Sequence, residues 1–356
     1  MDELEHRRQR FWEFYDFGSG RGLEIGPLHR AIVPRDRAEV GYVDVWDQAG
    51  VRAHYADKPT VIAEQIPVID YFLTQPDGRM VTLVEAAAAG APFDWVVASH
   101  VIEHVPDVIT WLEHLAELVA DDGTLVLAVP DKRFCFDTHR PVTTVGQLLA
   151  ARERGDTVPS PRAVHDYFAN FVEVDSAPLW RGESPPRRTD LAALEEAVEM
   201  AERARGGEYV DCHVWLFTPD TFLSQLRDLR RLGFSSWYVE QQRATLRDDL
   251  EFLVRLRRIP RGVDSRVDPD GELAPGLRPD WVEEESLGRR ARELGLEERV
   301  ADLETQVTRR GNRIRKLVRK NKRLRKRLER AQDGGPSRPT GGLSGRLASA
   351  RRRLGG

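Results

Sequence analysis

The chain has 356 residues, 40% of them hydrophobic, enough for the core of one large domain or two modest ones, which excludes a wholly disordered protein. The opening MDELEHRRQRFWEFYDF lacks the apolar segment of a signal peptide, no later run could span a bilayer, and Cys135 and Cys212 are too few for a disulfide framework, so a cytoplasmic location is expected. The net charge of −4 hides an asymmetry: residues 309–330 carry thirteen Lys or Arg against one Glu and residues 331–356 five Arg against one Asp, so positions 309–356 sum to +16 and the first 308 residues to about −20.

Strand-like and helix-like segments alternate through the first half, which predicts an α/β domain with a mostly parallel sheet. Strands are expected at 23–25, 40–43, 93–98 and 124–129. Between the last two, residues 107–119 place Ile109, Leu112, Leu115 and Val119 on one helical stripe, and Asp121, Asp122 and Gly123 supply a turn. Residues 137–212 are rich in Pro, Arg and Gly with one acidic helix near 190–205, which reads as an insertion or lid. The rhythm resumes where Thr218 caps a helix that Pro219 starts and Gly233 ends. Strands at 236–240 and 250–256, with a short link, predict an antiparallel hairpin that closes the first domain at 259.

A Pro-, Gly- and Asp-rich stretch at 260–282 reads as a linker. Within 283–332, Val300, Val307, Ile314, Asn321 and Leu328 take heptad position a, and Leu296, Leu303, Arg310, Leu317 and Leu324 take position d. That pattern favours a parallel two-stranded coiled coil, hence a homodimer. The basic run coincides with these heptads, whereas zipper-type DNA readers place it before them, so nucleic acid is the less favoured partner. An anionic membrane surface or an acidic partner suits the charge better. The tail 333–356, Gly-, Ser-, Pro- and Arg-rich, reads as disordered.

The stretch GLEIGPLHRAIVP, residues 22–34, runs a strand into a lone glycine. Ligands of open α/β sheets bind at the carboxyl ends of the strands, where strand order reverses. Gly26 lets the backbone approach a ligand there, and Asp44, at the end of the next strand, is placed to accept hydrogen bonds from ribose hydroxyls. Pro27 and Leu28 stand where further glycines would wrap a pyrophosphate, so a phosphate-free nucleoside fits better than a dinucleotide. FGSGRG at 17–22 precedes the strand and lacks the spacing of a nucleotide loop.

The segment SHVIEHVPDVITWLEHLAELVADDGTLVLAVPD, preceded by LEIG and YVD in the right order, resembles the class I S-adenosylmethionine-dependent methyltransferases, particularly their small-molecule branch. The GPL loop, VPDKRFCFDTHRP and DCHVWLFTPDTF look like a bacterial subgroup often found with polysaccharide-biosynthesis proteins. The resemblance implies a Rossmann-like fold over 1–259, with a mostly parallel seven-stranded sheet and a lid at 137–212. It implies S-adenosyl-L-methionine as cofactor, with Glu24, Gly26 and Pro27 at the methionine end, Asp44 at the ribose, Asp70 near the adenine, and Ser99 and His100 on the rim where cofactor meets acceptor.

Methyl transfer is an in-line displacement that needs an oriented acceptor and, for a hydroxyl, a general base. His100, His104, His165 and His213 are the candidates, set against the bland reading of each as a satisfied structural imidazole. For His104 that reading is a hydrogen bond to the backbone at the helix entrance. Asp131, Arg133, Asp137 and Arg140 form a charged cluster that reads either as acceptor contacts or as solvated surface pairs, and Trp180 and Trp215 either as sugar platforms or as core. Some ubiquinone-pathway O-methyltransferases carry a Glu-x-x-Glu-His cation motif at this place. Here His100 stands for the first Glu, ahead of Glu103 and His104, and magnesium prefers oxygen, so no metal is expected. The reading as a whole is a methyltransferase acting on a small or glycan-linked acceptor, at oxygen. The alternatives are a catalytically silent scaffold that recruits membrane or nucleic acid through its tail, and an RNA methyltransferase.

Overall fold

The computed structural model describes residues 3–266. The expected coiled coil, the basic tail and most of the expected linker lie outside them. Seven strands, β1 Arg21–Ile25, β2 Glu39–Asp44, β3 Tyr71–Phe72, β4 Phe93–Ser99, β5 Val119–Pro130, β6 Trp237–Arg243 and β7 Glu251–Arg258, form one sheet in the order β3-β2-β1-β4-β5-β7-β6. Strands β1 to β5 run parallel, and β7 runs antiparallel to both β5 and β6. The strands are near-continuous apolar runs because both faces of the sheet are covered.

The helices are α1 Glu3–Phe14, α2 Gln48–His54, α3 Leu83–Ala87, α4 Val108–Leu118, α5 Val145–Arg154, α6 Pro161–Asn170, α7 Ser176–Trp180, α8 Leu191–Arg205 and α9 Pro219–Arg231. Helix α4 begins where Asp107 accepts from the Thr110 N–H, and it lays Ile109, Leu112 and Leu115 of the expected stripe into the core, whereas Val119, the fourth residue expected on it, already starts β5. Helix α9 starts at Pro219 under a Thr218 cap, and Gly233 at φ 82° follows its end.

Three expectations change. Helix α1, not foreseen as an element, buries Phe11 and Phe14 in the second core cluster with Trp95 and Val97 of β4. The segment 137–212 carries four helices, α5 to α8, rather than one, because short capped turns replace long amphipathic repeats. The Asp121-Asp122-Gly123 turn falls inside β5 as an irregularity, where pairing with β4 jumps from Phe93↔Val119 to Trp95↔Thr124. Gly22, the last glycine of FGSGRG, serves packing, since a Cβ on it would stand 2.1 Å from the fully buried Trp95 ring.

From β1 the chain steps outward through β2 to β3 at one edge, then returns to start β4 on the other side of β1. Strand order therefore reverses between β1 and β4, and a crevice for ligand opens beyond their carboxyl ends. Because β7 is antiparallel, its first residue, Glu251, lies opposite Pro130 at this same rim. Among the described residues, no helix is long and apolar enough to cross a membrane.

Candidate functional site

Gly26 leaves β1 at φ 62°, with its N–H donating to the Val43 carbonyl, so the backbone turns over the end of β1 in a conformation that L side chains resist. Pro27 is buried, and Leu28 occupies φ 45° although it carries a side chain. Its contact with the second core cluster holds it in that left-handed well. The missing second glycine is thus a strained leucine anchored from below. Asp44 ends β2 on the same rim, where Oδ1 accepts from the Val45 N–H at 2.7 Å. Burial pushes its carboxyl up to about 6. An underserved acceptor beside a glycine turn fits a ribose diol.

Glu24 does something other than the sequence implied. Its buried carboxylate accepts from the Ile32 N–H at 2.7 Å and the Val33 N–H at 2.9 Å. Both oxygens are therefore spent on clamping the far side of the 26–34 loop, and Glu24 positions the loop instead of facing the cofactor. Burial, opposed by those two donors, pushes its carboxyl up to about 7. A carboxyl raised in the fold contributes stability that is fully present below the ordinary carboxylate range and is lost as pH rises through about 7. Glu24→Gln does not titrate, so between pH 5 and 8 it is expected to gain on the wild type by roughly 2 kcal/mol. Melting curves at both pH values check this, and a pH-independent gap between the two proteins refutes it.

Asp70 also moves. It precedes β3 and lies below the rim, its Oδ2 accepting from the Tyr42 N–H at 2.7 Å and pairing with Arg35 at 2.5 Å. Strand β3 is only two residues long, so the acidic residue that the sequence offered for adenine staples the base of β3 to β2.

At the end of β4, Ser99 and His100 are held by partners that no local pattern announces. Arg7 of α1 forks onto Glu251, Nε to Oε1 at 3.1 Å and Nη2 to Oε2 at 2.6 Å, and also donates to Ser99 Oγ. His100, at φ 55°, sets Nε2 2.7 Å from Glu251 Oε2 and Nδ1 3.8 Å from Glu103 Oε1. Despite burial, the His100 and Arg7 contacts hold the Glu251 carboxyl far below the usual range. The Ser99 hydroxyl and His100 Nε2 are thus engaged within the protein, while His100 Nδ1 lies on the side of the buried Glu103 carboxylate.

The end of the insertion and the residues just after it supply the rest. Segment 211–217 laces to the 100–107 loop, with Val214 N–H donating to the Glu103 carbonyl at 2.7 Å and the Trp215 indole to the Val105 carbonyl at 2.6 Å. Trp215 is core. His213 is brought in beside Glu103, Nε2 3.9 Å from Oε1, while its Nδ1 meets Asp137 Oδ2 at 2.6 Å. His104 Nδ1 meets Asp211 Oδ1 at 2.9 Å, a side-chain partner rather than the expected backbone one. Burial works against the charged imidazole, yet the Asp211 bond leaves the His104 pKa raised.

The charged cluster is not solvated pairing. Asp131, Asp137 and Arg140 are buried: Arg140 Nη1 donates to Asp137 Oδ1 at 2.7 Å, and Asp131 accepts a fork from the half-exposed Arg133 together with the Thr245 hydroxyl. Trp180 has one face stacked on Phe134 at 3.9 Å, which removes that face as a sugar platform. His165, on α6, is half-buried, lies 4.0 Å from the adjacent Asp166 carboxylate, and does not join the residues gathered on Glu103.

A family model described as a methyltransferase domain matches residues 2–229. Solved structures similar to this chain include the mitomycin 7-O-methyltransferase, at 12% identity and TM-score 0.34 over 72% of this chain and 53% of that one. They include the magnesium protoporphyrin IX methyltransferase from Synechocystis PCC 6803 with bound SAH, at 12% identity and TM-score 0.31 over 72% and 81%. A glycopeptide N-methyltransferase complexed with sinefungin matches at 15% identity and TM-score 0.33 over 72% and 94%. The aligned part of this chain spans about half the length of the mitomycin enzyme. Among curated proteins no sequence match was found.

Proposed function

This chain belongs to the methyltransferase-domain family, and from that premise we propose that it transfers a methyl group from S-adenosylmethionine to a hydroxyl oxygen of a small or glycan-linked acceptor. The observation that carries this reading is the pairing, on one rim, of Gly26 at φ 62° with the underserved Asp44 carboxylate. A Cβ at Gly26 would make only an ordinary contact with Val101 at 3.4 Å, so it is the left-handed turn that calls for glycine here.

S-adenosylmethionine supplies an electrophilic methyl group on a sulfonium and carries no phosphate, in keeping with a loop that lacks further glycines. Gly26 and Pro27 would line its amino-acid end, with Glu24 holding the loop from behind. Asp44 would accept the ribose hydroxyls. His100 supports transfer to oxygen, because Glu251 fixes the Nε2 side of the ring and Nδ1 is left to take the proton of an acceptor hydroxyl. The glycan-linked class rests on the resemblance of the 26–28 loop and of 129–141 to a polysaccharide-associated subgroup.

Calorimetric titration of the full chain with S-adenosylhomocysteine tests the reading. Saturable one-to-one binding in the micromolar range is expected. Absence of heat at millimolar ligand, with the protein folded, overturns it.

A further inference from the structure

Glu103 is the least conventional side chain in the described protein. It is fully buried, yet neither carboxylate oxygen has a hydrogen-bond partner within the protein. A buried carboxylate so placed carries a penalty of several kcal/mol unless a cation meets it. The flanking groups are imidazoles, and each arrives already oriented: His213 by Asp137 at 2.6 Å, His104 by Asp211 at 2.9 Å, and His100 by Glu251 at 2.7 Å. In His213 and His104 the carboxylate engages Nδ1, so Nε2 is the nitrogen left over. Imidazoles that ligate metal characteristically give their second nitrogen to a carboxylate, which fixes tautomer and ring direction.

We propose that Glu103, His104 and His213 bind one divalent late first-row transition-metal ion of the zinc class, with Asp211 and Asp137 as orienting carboxylates. One donor atom from each of the three residues lies within 4.8 Å of the others. Tetrahedral zinc sets neighbouring donors about 3.4 Å apart, so closure needs shifts of roughly 1 Å, within reach of side-chain rotation. Two imidazoles with one carboxylate suit zinc, whereas magnesium asks for oxygen alone. The expectation of no metal weighed only His100, Glu103 and His104 along the sequence. Folding adds His213 from beyond the insertion and leaves His100 outside the set, on Glu251. Three protein ligands leave a coordination position for an acceptor oxygen.

The test is titration of untagged, chelator-stripped full chain with Zn2+ by calorimetry, with Co2+ as a spectroscopic probe. One equivalent is expected to bind at micromolar Kd or tighter, and Co2+ to give visible absorption of a tetrahedral site. Glu103→Gln and His213→Ala are each expected to weaken binding at least tenfold. Asp211→Asn, at an exposed position, is expected to weaken it about tenfold, and this variant decides the question if either of the others fails to fold. Substoichiometric binding, an affinity that none of the folded variants changes, or Mg2+ competing as well as Zn2+ overturns the proposal. No cofactor enters this measurement, so its failure is separate from failure of the methyl-transfer reading.

Discussion

Replacing Glu251 by alanine is expected to lower the thermal midpoint by about 6–20 °C at pH 7, on the basis of about 3–5 kcal/mol for removing one partner of a buried ion pair and about 2–4 °C per kcal/mol in a domain of this size. The carboxylate is 3% exposed and meets the Arg7 fork, His100 Nε2 at 2.7 Å and Arg10 at 3.9 Å. Its loss leaves the Arg7 guanidinium and His100 Nε2 without the carboxylate they share, while Arg10 keeps Asp249, and it removes the Arg7 tie between α1 and the head of β7. Glu251→Gln keeps the shape and two acceptor–donor contacts at most, so an intermediate loss is expected. The pH dependence has a definite sign. A carboxyl depressed by its partners in the fold contributes stability that is present above the ordinary carboxylate range and disappears as pH falls below it. The gap between wild type and Glu251→Ala should therefore narrow on acidification from pH 6 towards pH 3. Melting curves across that range decide it, and a midpoint that Glu251→Ala leaves unchanged at pH 7 would remove Glu251 as the anchor of the N-terminal helix.

Asp44→Ala is expected to reduce S-adenosylhomocysteine affinity by about 100-fold or more, since two hydrogen bonds from a ribose diol to a carboxylate contribute about 1.5–3 kcal/mol each and about 1.4 kcal/mol is tenfold. Stability should respond the other way. Burial, only partly offset by the Val45 N–H, raises the Asp44 carboxyl to about 6, so its charge costs the ligand-free fold something near neutrality. Asp44→Asn is accordingly expected to melt at or above the wild-type midpoint at pH 7.5 while binding the ligand weakly. The same titration predicts that wild-type affinity declines as pH drops through 6, because the ionised carboxylate is the better acceptor. Calorimetry of both variants beside thermal melts separates the roles. A joint loss of stability and binding would make Asp44 structural, and unchanged binding would remove it from the site.

Glu24 and Asp70 show where reading by position along the chain stops working. Glu24 lies within β1 and Asp70 just before β3, and resemblance places both at the cofactor. Each instead satisfies backbone N–H groups, Glu24 on the returning loop and Asp70 on β2. A carboxylate's partner is set by which N–H groups the fold leaves unpaired nearby, and no spacing rule encodes that. Gly26 and Asp44 kept their places on the rim because a strand end and a turn are local features.

The sequence by itself determined strands β1, β2, β4, β5, β6 and β7, helices α4, α8 and α9, the cap of α9, the glycine turn and the acidic strand end. Hydrophobic period, capping side chains and turn residues act over a few positions and carry their own signal. Tertiary structure alone decided what surrounds Glu103 and His100. Their companions come from 107 residues away for His104 and Asp211, from 76 for His213 and Asp137, and from 151 for His100 and Glu251. Helix α1, too, acquires its role only when Arg7 reaches Glu251, 244 residues on. Such pairings follow from sheet order, which brings the head of the antiparallel β7 to the rim of the parallel strands, and from an insertion that folds back along the loop after β4.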